Sequence, residues 1–282
     1  MRKLTKIMLI VAASLVLCGV TLFGGVMMAV NWDFTKLSVS DLENNDYLID
    51  EEYHHISIIA DTANIVFLPS EDKATRVVCS EYVNANHKVV VVEDTLKILL
   101  QDHRKWYEHV GISFAQPKIT VFLPVEAYSS LVVSSCTGHI KISDGFSFEN
   151  MELSLRTGDI MLENMTADQM KLTLTTGDIS LSNVQCGTLT SGGSTGRVYM
   201  KNVIASGKVT LKRTTGHICF EGCDAAAFSV RTSTGNVTGT LLTEKVISAH
   251  ATTGRVHVPK SAGIGGLCEI ATTTGDISIQ IG

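Results

Sequence analysis

From residue 131 onward, apolar and polar positions recur with a fixed period. Thr-Gly stands at Thr137-Gly138, Thr157-Gly158, Thr176-Gly177, Thr195-Gly196, Thr215-Gly216, Thr234-Gly235, Thr253-Gly254 and Thr274-Gly275, with the glycines 20, 19, 19, 20, 19, 19 and 21 residues apart. Two residues after each glycine comes Ile140, Ile160, Ile179, Val198, Ile218, Val237, Val256 or Ile277, all of them β-branched. Four after it comes Ile142, Leu162, Leu181, Met200, Phe220, Gly239, Val258 or Ile279, apolar in seven cases of eight. The residue directly after the glycine is polar: His139, Asp159, Asp178, Arg197, His217, Asn236, Arg255 or Asp276. This period-two alternation predicts a strand with one buried face after every Thr-Gly.

A second strand is predicted before each glycine, where the inward positions are seven residues upstream (Leu131, Met151, Met170, Leu189, Val209, Phe228, Ile247, Cys268) and five upstream. Glycine supplies the positive φ of the corner between the two strands. A further corner carries asparagine before an apolar residue, as in Asn164-Met165, Asn183-Val184 and Asn202-Val203. No single unit can bury its own apolar side, but stacked copies bury a continuous core. The expected fold is therefore all-β: a β-solenoid of about eight repeats, 19–21 residues each, over residues 131–282. A meander of hairpins is the rival, but its turns favour Asn-Gly or Asp-Gly. Residues 53–130 read as a degenerate N-terminal cap, in which residues 56–67 form one unit with Ala63 in place of glycine.

The beginning of the chain has a different pattern. Residues 7–30 hold 24 positions without a charge, preceded by Arg2, Lys3 and Lys6. As a helix this run spans roughly 36 Å, enough to cross a bilayer. Trp32 follows at the interface, and residues 33–52 hold seven acids and one lysine. The expected organisation is a cytoplasmic basic flank and transmembrane helix (1–32), an acidic juxtamembrane linker (33–52) and an extracytoplasmic solenoid (53–282), with the bulk of the chain outside the cell membrane. A cleaved signal peptide fits less well, because its apolar region is shorter and Met27-Met28-Ala29 is a poor cleavage site. The Leu15-Val16-Leu17-Cys18 segment lacks the small residue that lipidation needs before the cysteine. Gly25 and Ala29 have small-xxx-small spacing, which is common by chance in such runs.

Composition narrows the chemistry. A net charge of −5 excludes a nucleic-acid surface, which would need a basic patch. No nucleophile–base pair, cofactor motif or metal motif stands out, so no enzyme activity, cofactor or metal is expected. His103 and His109, with Asp102 and Glu108 beside them, form the densest histidine cluster, and a polar loop explains it better than a metal site. Trp106 and Tyr107 in that loop are candidate partner contacts. Of the seven cysteines, Cys268 and Cys223 fall in inward columns, Cys18 in the apolar run, and Cys136 and Cys219 at outward or corner positions.

In-register stacking predicts two ion pairs, Asp178–Arg197 and Arg255–Asp276. It also places Asp159 beside Asp178, with Arg156 as the expected relief. The last unit ends on a regular strand, so Ile277, Ser278, Ile279, Gln280 and Ile281 are expected to be an open edge available for self-association or a partner's strand.

The Thr175-Thr-Gly-Asp-Ile-Ser-Leu181 type of unit, the Leu123-Pro124 segment and the Tyr128-Ser-Ser-Leu-Val-Val133 lead-in resemble the bacterial "putative adhesin" family, a domain of unknown function with β-strand repeats that includes LiaG-like envelope proteins. The resemblance covers residues 53–282. It implies a membrane-attached, envelope-facing β protein without enzyme activity. The function expected is a binding or scaffold module of the envelope, its partner an envelope protein or polysaccharide. The alternatives are an accessory component of envelope-stress signalling acting through the transmembrane helix and, third, a wall-polysaccharide hydrolase.

Overall fold

The computed structural model describes residues 3–33, 42–105, 116–260 and 263–282. One helix, Lys3–Ala29, is long and apolar enough to cross a membrane, with a mean hydropathy of 2.5 over residues 5–29. Most of its apolar side chains, Leu9, Leu15, Leu17 and Leu22 among them, are exposed, and Met27 is buried. The rest of the described chain is β-structure.

The repeats stack as a parallel solenoid in register. Ser147–Thr157 pairs with Ala127–Thr137 on one side, Met151 beside Leu131, and with Ile160–Thr176 on the other, Met151 beside Met170. Ile160–Thr176 then pairs along its length with Ile179–Thr195, placing Ile160 on Ile179, Met165 on Val184 and Leu172 on Ser191. Each coil bends twice where the pattern predicted. At one corner Asp144, Asn164, Asn183 and Asn202 adopt left-handed φ of 71°, 50°, 52° and 51°. There the Asn183 amide donates to Asn164 Oδ1 (2.9 Å) and Asn202 to Asn183 Oδ1 (3.0 Å), a ladder along the stack.

The glycine corner is set by the approach of one backbone to the next. A Cβ on Gly177 would lie 1.7 Å from the carbonyl oxygen of Gly158, and one on Gly158 would lie 1.6 Å from that of Gly138. Apart from Gly254, each of these glycine N–H groups in turn donates to the threonine carbonyl of the neighbouring coil, as Gly177 does to Thr195 at 2.9 Å. Gly239, the exception in the apolar column, has the same cause: its Cβ would meet the Phe220 carbonyl at 2.0 Å.

These contacts also reveal the order of the coils, which departs from chain order at both ends. A Cβ on Gly275 would meet the carbonyl of Gly235 at 2.1 Å, and one on Gly254 would meet that of Gly275 at 2.0 Å. Gly266–Thr274 accordingly lies between Ile218–Thr234 and Lys245–Thr253, and Ile277–Ile281 between Val237–Leu241 and Val256–His257. The expectation that residues 277–281 form the open end of the stack is corrected in part: the coil is inserted, and only Ile279, Gln280 and Ile281, paired with Gly239, Thr240 and Leu241 alone, keep a free edge among the described residues. Ile277 and Ser278 are paired on both sides, and Ile277 and Ile279 are each 1% exposed. The last coil is instead the one at Gly254. Its inward residues Ile247, Ala249 and Ala251 are only half-buried and Val256 is exposed, so it loses least by standing at the end.

At the other end, His55–Ile59 and Asn64–Pro69 form the expected Ala63 coil, with Ile56 on Leu131 and Ile65 on Ile140. Thr95–Asp102 and Lys118–Leu123 lie outside it, Leu96 on Ile56 and Val121 on Phe67. An antiparallel layer closes the stack: Ala85–Val92 runs against Thr95–Asp102 and Thr75–Tyr82 against Lys118–Leu123. Leu42–Ile49 pairs with Thr75–Tyr82, so part of the expected linker is a strand. Asn45, Tyr47 and Ile49 alternate as its half-buried positions.

A buried arginine interrupts the apolar interior of the repeats. Arg213 is 5% exposed and occupies an inward position opposite Gly193, where a Cβ would lie 2.4 Å from its guanidinium. Nη2 donates to Ser191 Oγ (3.2 Å), Nη1 donates to the Lys212 carbonyl (3.3 Å), and Nε has no partner. Burial lowers its pKa, against the charge of Asp178. A buried charge without a bonded carboxylate costs more than the apolar side chain it displaces. Arg213→Met is expected to stabilise the fold by about 1 kcal/mol or more, read as a higher denaturation midpoint; a lower midpoint would show that the guanidinium is needed there.

Candidate functional site

The polar residue after each glycine forms a ladder along one corner of the stack. Its side chain caps the backbone of the neighbouring coil: the Asp178 N–H donates to Asp159 Oδ1 (2.8 Å), Arg197 N–H to Asp178 Oδ1 (2.7 Å), Asp276 N–H to Asn236 Oδ1 (2.9 Å) and Arg255 N–H to Asp276 Oδ1 (2.7 Å). Asn64, His139 and His217 do the same through Oδ1 or Nδ1. Both expected ion pairs form, Arg197–Asp178 at 2.8 Å and Arg255–Asp276 at 3.3 Å. The Asp159–Asp178 adjacency is met through the backbone, Asp159 Oδ1 accepting from the Asp178 amide. The ladder's first role is thus to hold coil on coil.

That role carries a pH dependence. Burial would raise the Asp178 carboxyl, but the Arg197 amide and guanidinium hold it below its ordinary value; the Arg255 amide and charge lower Asp276 against a smaller burial effect. A carboxyl depressed by folding contributes stability that is complete above its unfolded pKa, near 4, and is lost as pH falls through the folded value. The thermal midpoint should hold between about pH 7 and 5 and fall below about pH 4, more shallowly in Asp178→Asn. A midpoint insensitive to acid would refute this role.

Two further constellations are visible only in three dimensions. His55 Nδ1 lies 2.7 Å from Ser130 Oγ, and its Nε2 lies 3.9 Å from Asp94 Oδ2. The residue types are those of a hydrolase triad, yet the wiring is reversed, the acid is beyond hydrogen-bond reach, and the Ser130 N–H is directed to the His54 carbonyl. Asp94 is engaged by His54, through its amide (3.0 Å) and Nδ1 (2.9 Å).

The second constellation is buried in the N-terminal layer. Cys79, Glu81 and His87 are 0%, 1% and 4% exposed, and one ligand-type atom of each lies within 4.8 Å of the other two. Glu81 Oε2 accepts from His87 Nδ1 (2.6 Å) and from the His87 N–H (2.7 Å), and Oε1 accepts from the Asn45 amide (2.7 Å). Burial opposes ionisation of Glu81, but these bonds hold its pKa below the ordinary value. Burial, and then the charge of Glu81, push the Cys79 thiol up to about 12.

Of the residues singled out from sequence, Trp106, Tyr107 and His109 lie outside the described residues. Ile277 to Ile281 belong to the inserted coil. The cysteine assignments hold: Cys223 and Cys268 are buried, Cys136 and Cys219 half-buried, and all seven are free thiols.

Residues 53–190 and 177–282 each match the family described as Toastrack DUF4097. No curated protein sequence matches. Among solved structures, a "putative lipid binding protein" of Parabacteroides distasonis is 14% identical with a TM-score of 0.54, over 86% of this chain and 98% of that one. A "putative adhesin" of Bacteroides fragilis is 18% identical with a TM-score of 0.46, over 85% of this chain and 97% of that one. Another from Parabacteroides merdae is 10% identical with a TM-score of 0.46, over 86% and 98%. The first supports the fold alone. With the repeat, the coil stack and the family match over residues 53–282 agreeing, the chain belongs to the Toastrack DUF4097 family, here a β-solenoid.

Proposed function

We propose that this chain is a membrane-anchored binding or scaffold module that holds a stiff β-solenoid outside the cytoplasm. The observation that carries the reading is the pairing of one exposed apolar helix with a stack whose interior is filled by its own side chains. Columns such as Ile140–Ile160–Ile179–Val198–Ile218, all at most 1% exposed, leave the outer faces as the surface a partner would meet. Cations before the apolar run and acids after it support a cytoplasmic N-terminus. The partner would be an envelope protein or a polysaccharide, and self-association through a stack end is part of the same reading. The inverted order of coils moves that end to the Gly254 coil.

Anchor exchange separates this from the signalling alternative. Residues 1–32 are replaced by an unrelated single-span anchor and the strain is challenged with a cell-wall inhibitor. A scaffold keeps its protective effect with the foreign helix; loss of that effect, with the protein still at the surface, would assign the function to the helix.

A further inference from the structure

We propose that Cys79, Glu81 and His87 form a buried binding site for a zinc-type transition-metal ion. The sequence builds the site simply. Alternation along Thr75–Tyr82 sends Cys79 and Glu81 to the same inward face. The tight turn that pairs Tyr82 with Ala85 brings Ala85–Val92 back, with His87 inward. Elsewhere in the solenoid such positions are mostly apolar. Here one thiol, one carboxylate and one imidazole meet instead.

The cluster is not explained as a set of mutually satisfied polar groups. Glu81 is satisfied, with both carboxylate oxygens occupied. His87 is not: its Nε2 is buried and has no partner. A buried imidazole nitrogen left open in this way is unfavourable unless something binds it. Bonding of Nδ1 to a carboxylate is also how proteins orient an imidazole that ligates a metal through its other nitrogen. Asn45 fixes the carboxylate in turn, and the Tyr47 hydroxyl donates to the His87 carbonyl at 3.2 Å, so the surrounding strand holds the donors in place.

The donor set selects the ion. Thiolate sulfur and imidazole nitrogen suit zinc or cobalt(II), whereas calcium and magnesium require oxygen ligands throughout. Glu81 bonds Nδ1, on the side of the ring away from Nε2, so an ion on Nε2 takes Cys79 Sγ and His87 Nε2 as its protein donors while Glu81 orients the imidazole. The site lies where the antiparallel layer closes the parallel stack, so an ion there would tie Thr75–Tyr82 to Ala85–Val92 at the end of the stack that the repeat pattern does not itself seal.

The test uses tag-free, full-length protein in detergent, stripped with a chelator and titrated with cobalt(II) alone. One equivalent is expected to produce a thiolate-to-cobalt charge-transfer band in the near ultraviolet and strong visible bands of low-coordinate cobalt, both removed by zinc. Cys79→Ser should abolish the near-ultraviolet band, and His87→Gln should weaken binding at least tenfold. No band in the wild type at excess cobalt, or the same band in Cys79→Ser, overturns the site. Should either variant fail to fold, X-ray absorption at the zinc edge of the wild-type protein decides: a shell with one sulfur supports the site, and a shell with none refutes it.

Discussion

Gly177→Ala is expected to destabilise the solenoid by about 4 kcal/mol, a large fraction of the stability of an ordinary domain. Two costs add. The new Cβ would lie 1.7 Å from a backbone carbonyl of the coil below, which cannot rotate away as a side chain could. The coils must separate locally, and forced separation in a packed interior costs about 1–3 kcal/mol. The backbone at Gly177 also has φ of +134°, which a residue with a Cβ adopts only at a further cost of about 1–3 kcal/mol. Because each coil touches only its neighbours, the break falls between two halves of the stack and should lower cooperativity as well. Gly192→Ala is the control. Nothing lies within 4 Å of its Cβ, so the change should be neutral or stabilise by up to about 1 kcal/mol through the unfolded chain. Urea midpoints of the two variants check both statements, and equal midpoints would refute the backbone-contact account.

That same contact explains why so much of the fold was legible. A glycine that must let another backbone approach within touching distance cannot drift, so the Thr-Gly spacing survives in every unit and marks every corner. The β-branched column after it and the asparagine corner follow for similar steric reasons. What escaped the sequence depends on comparisons between units. The Gly254 and Gly275 units have the same signature, and only the burial of their inward residues distinguishes the inner from the outer coil. Leu42–Ile49 was hidden inside the acidic segment 33–52, although Asn45, Tyr47 and Ile49 alternate correctly. The Ser130–His55 contact joins residues 75 apart and leaves no local trace. The Cys79–Glu81–His87 cluster did leave one, since Cys-x-Glu on a strand followed by a histidine across a hairpin places all three inward.

The inverted order of the last two coils predicts a second large effect. Ile277 and Val256 hold the same place in their repeats, two residues after the glycine, and both are β-branched. In a stack that followed chain order, Val256 would be enclosed and Ile277 would stand at the end. In the observed order Ile277 lies between Val237 and Val256 and is 1% exposed, while Val256 is 43% exposed with no strand beyond it among the described residues. Ile277→Asp therefore removes a buried side chain worth about 2–5 kcal/mol on truncation and puts an unpaired carboxylate in its place. The total loss should exceed about 4 kcal/mol. Val256→Asp removes a side chain already near water, gives its carboxylate a solvent shell, and should cost about 1 kcal/mol or less. Both aspartates carry the same strand penalty, so the difference between the variants isolates burial. Urea denaturation of the two proteins measures it directly. A midpoint for Val256→Asp at or below that of Ile277→Asp would mean that the coils follow chain order after all.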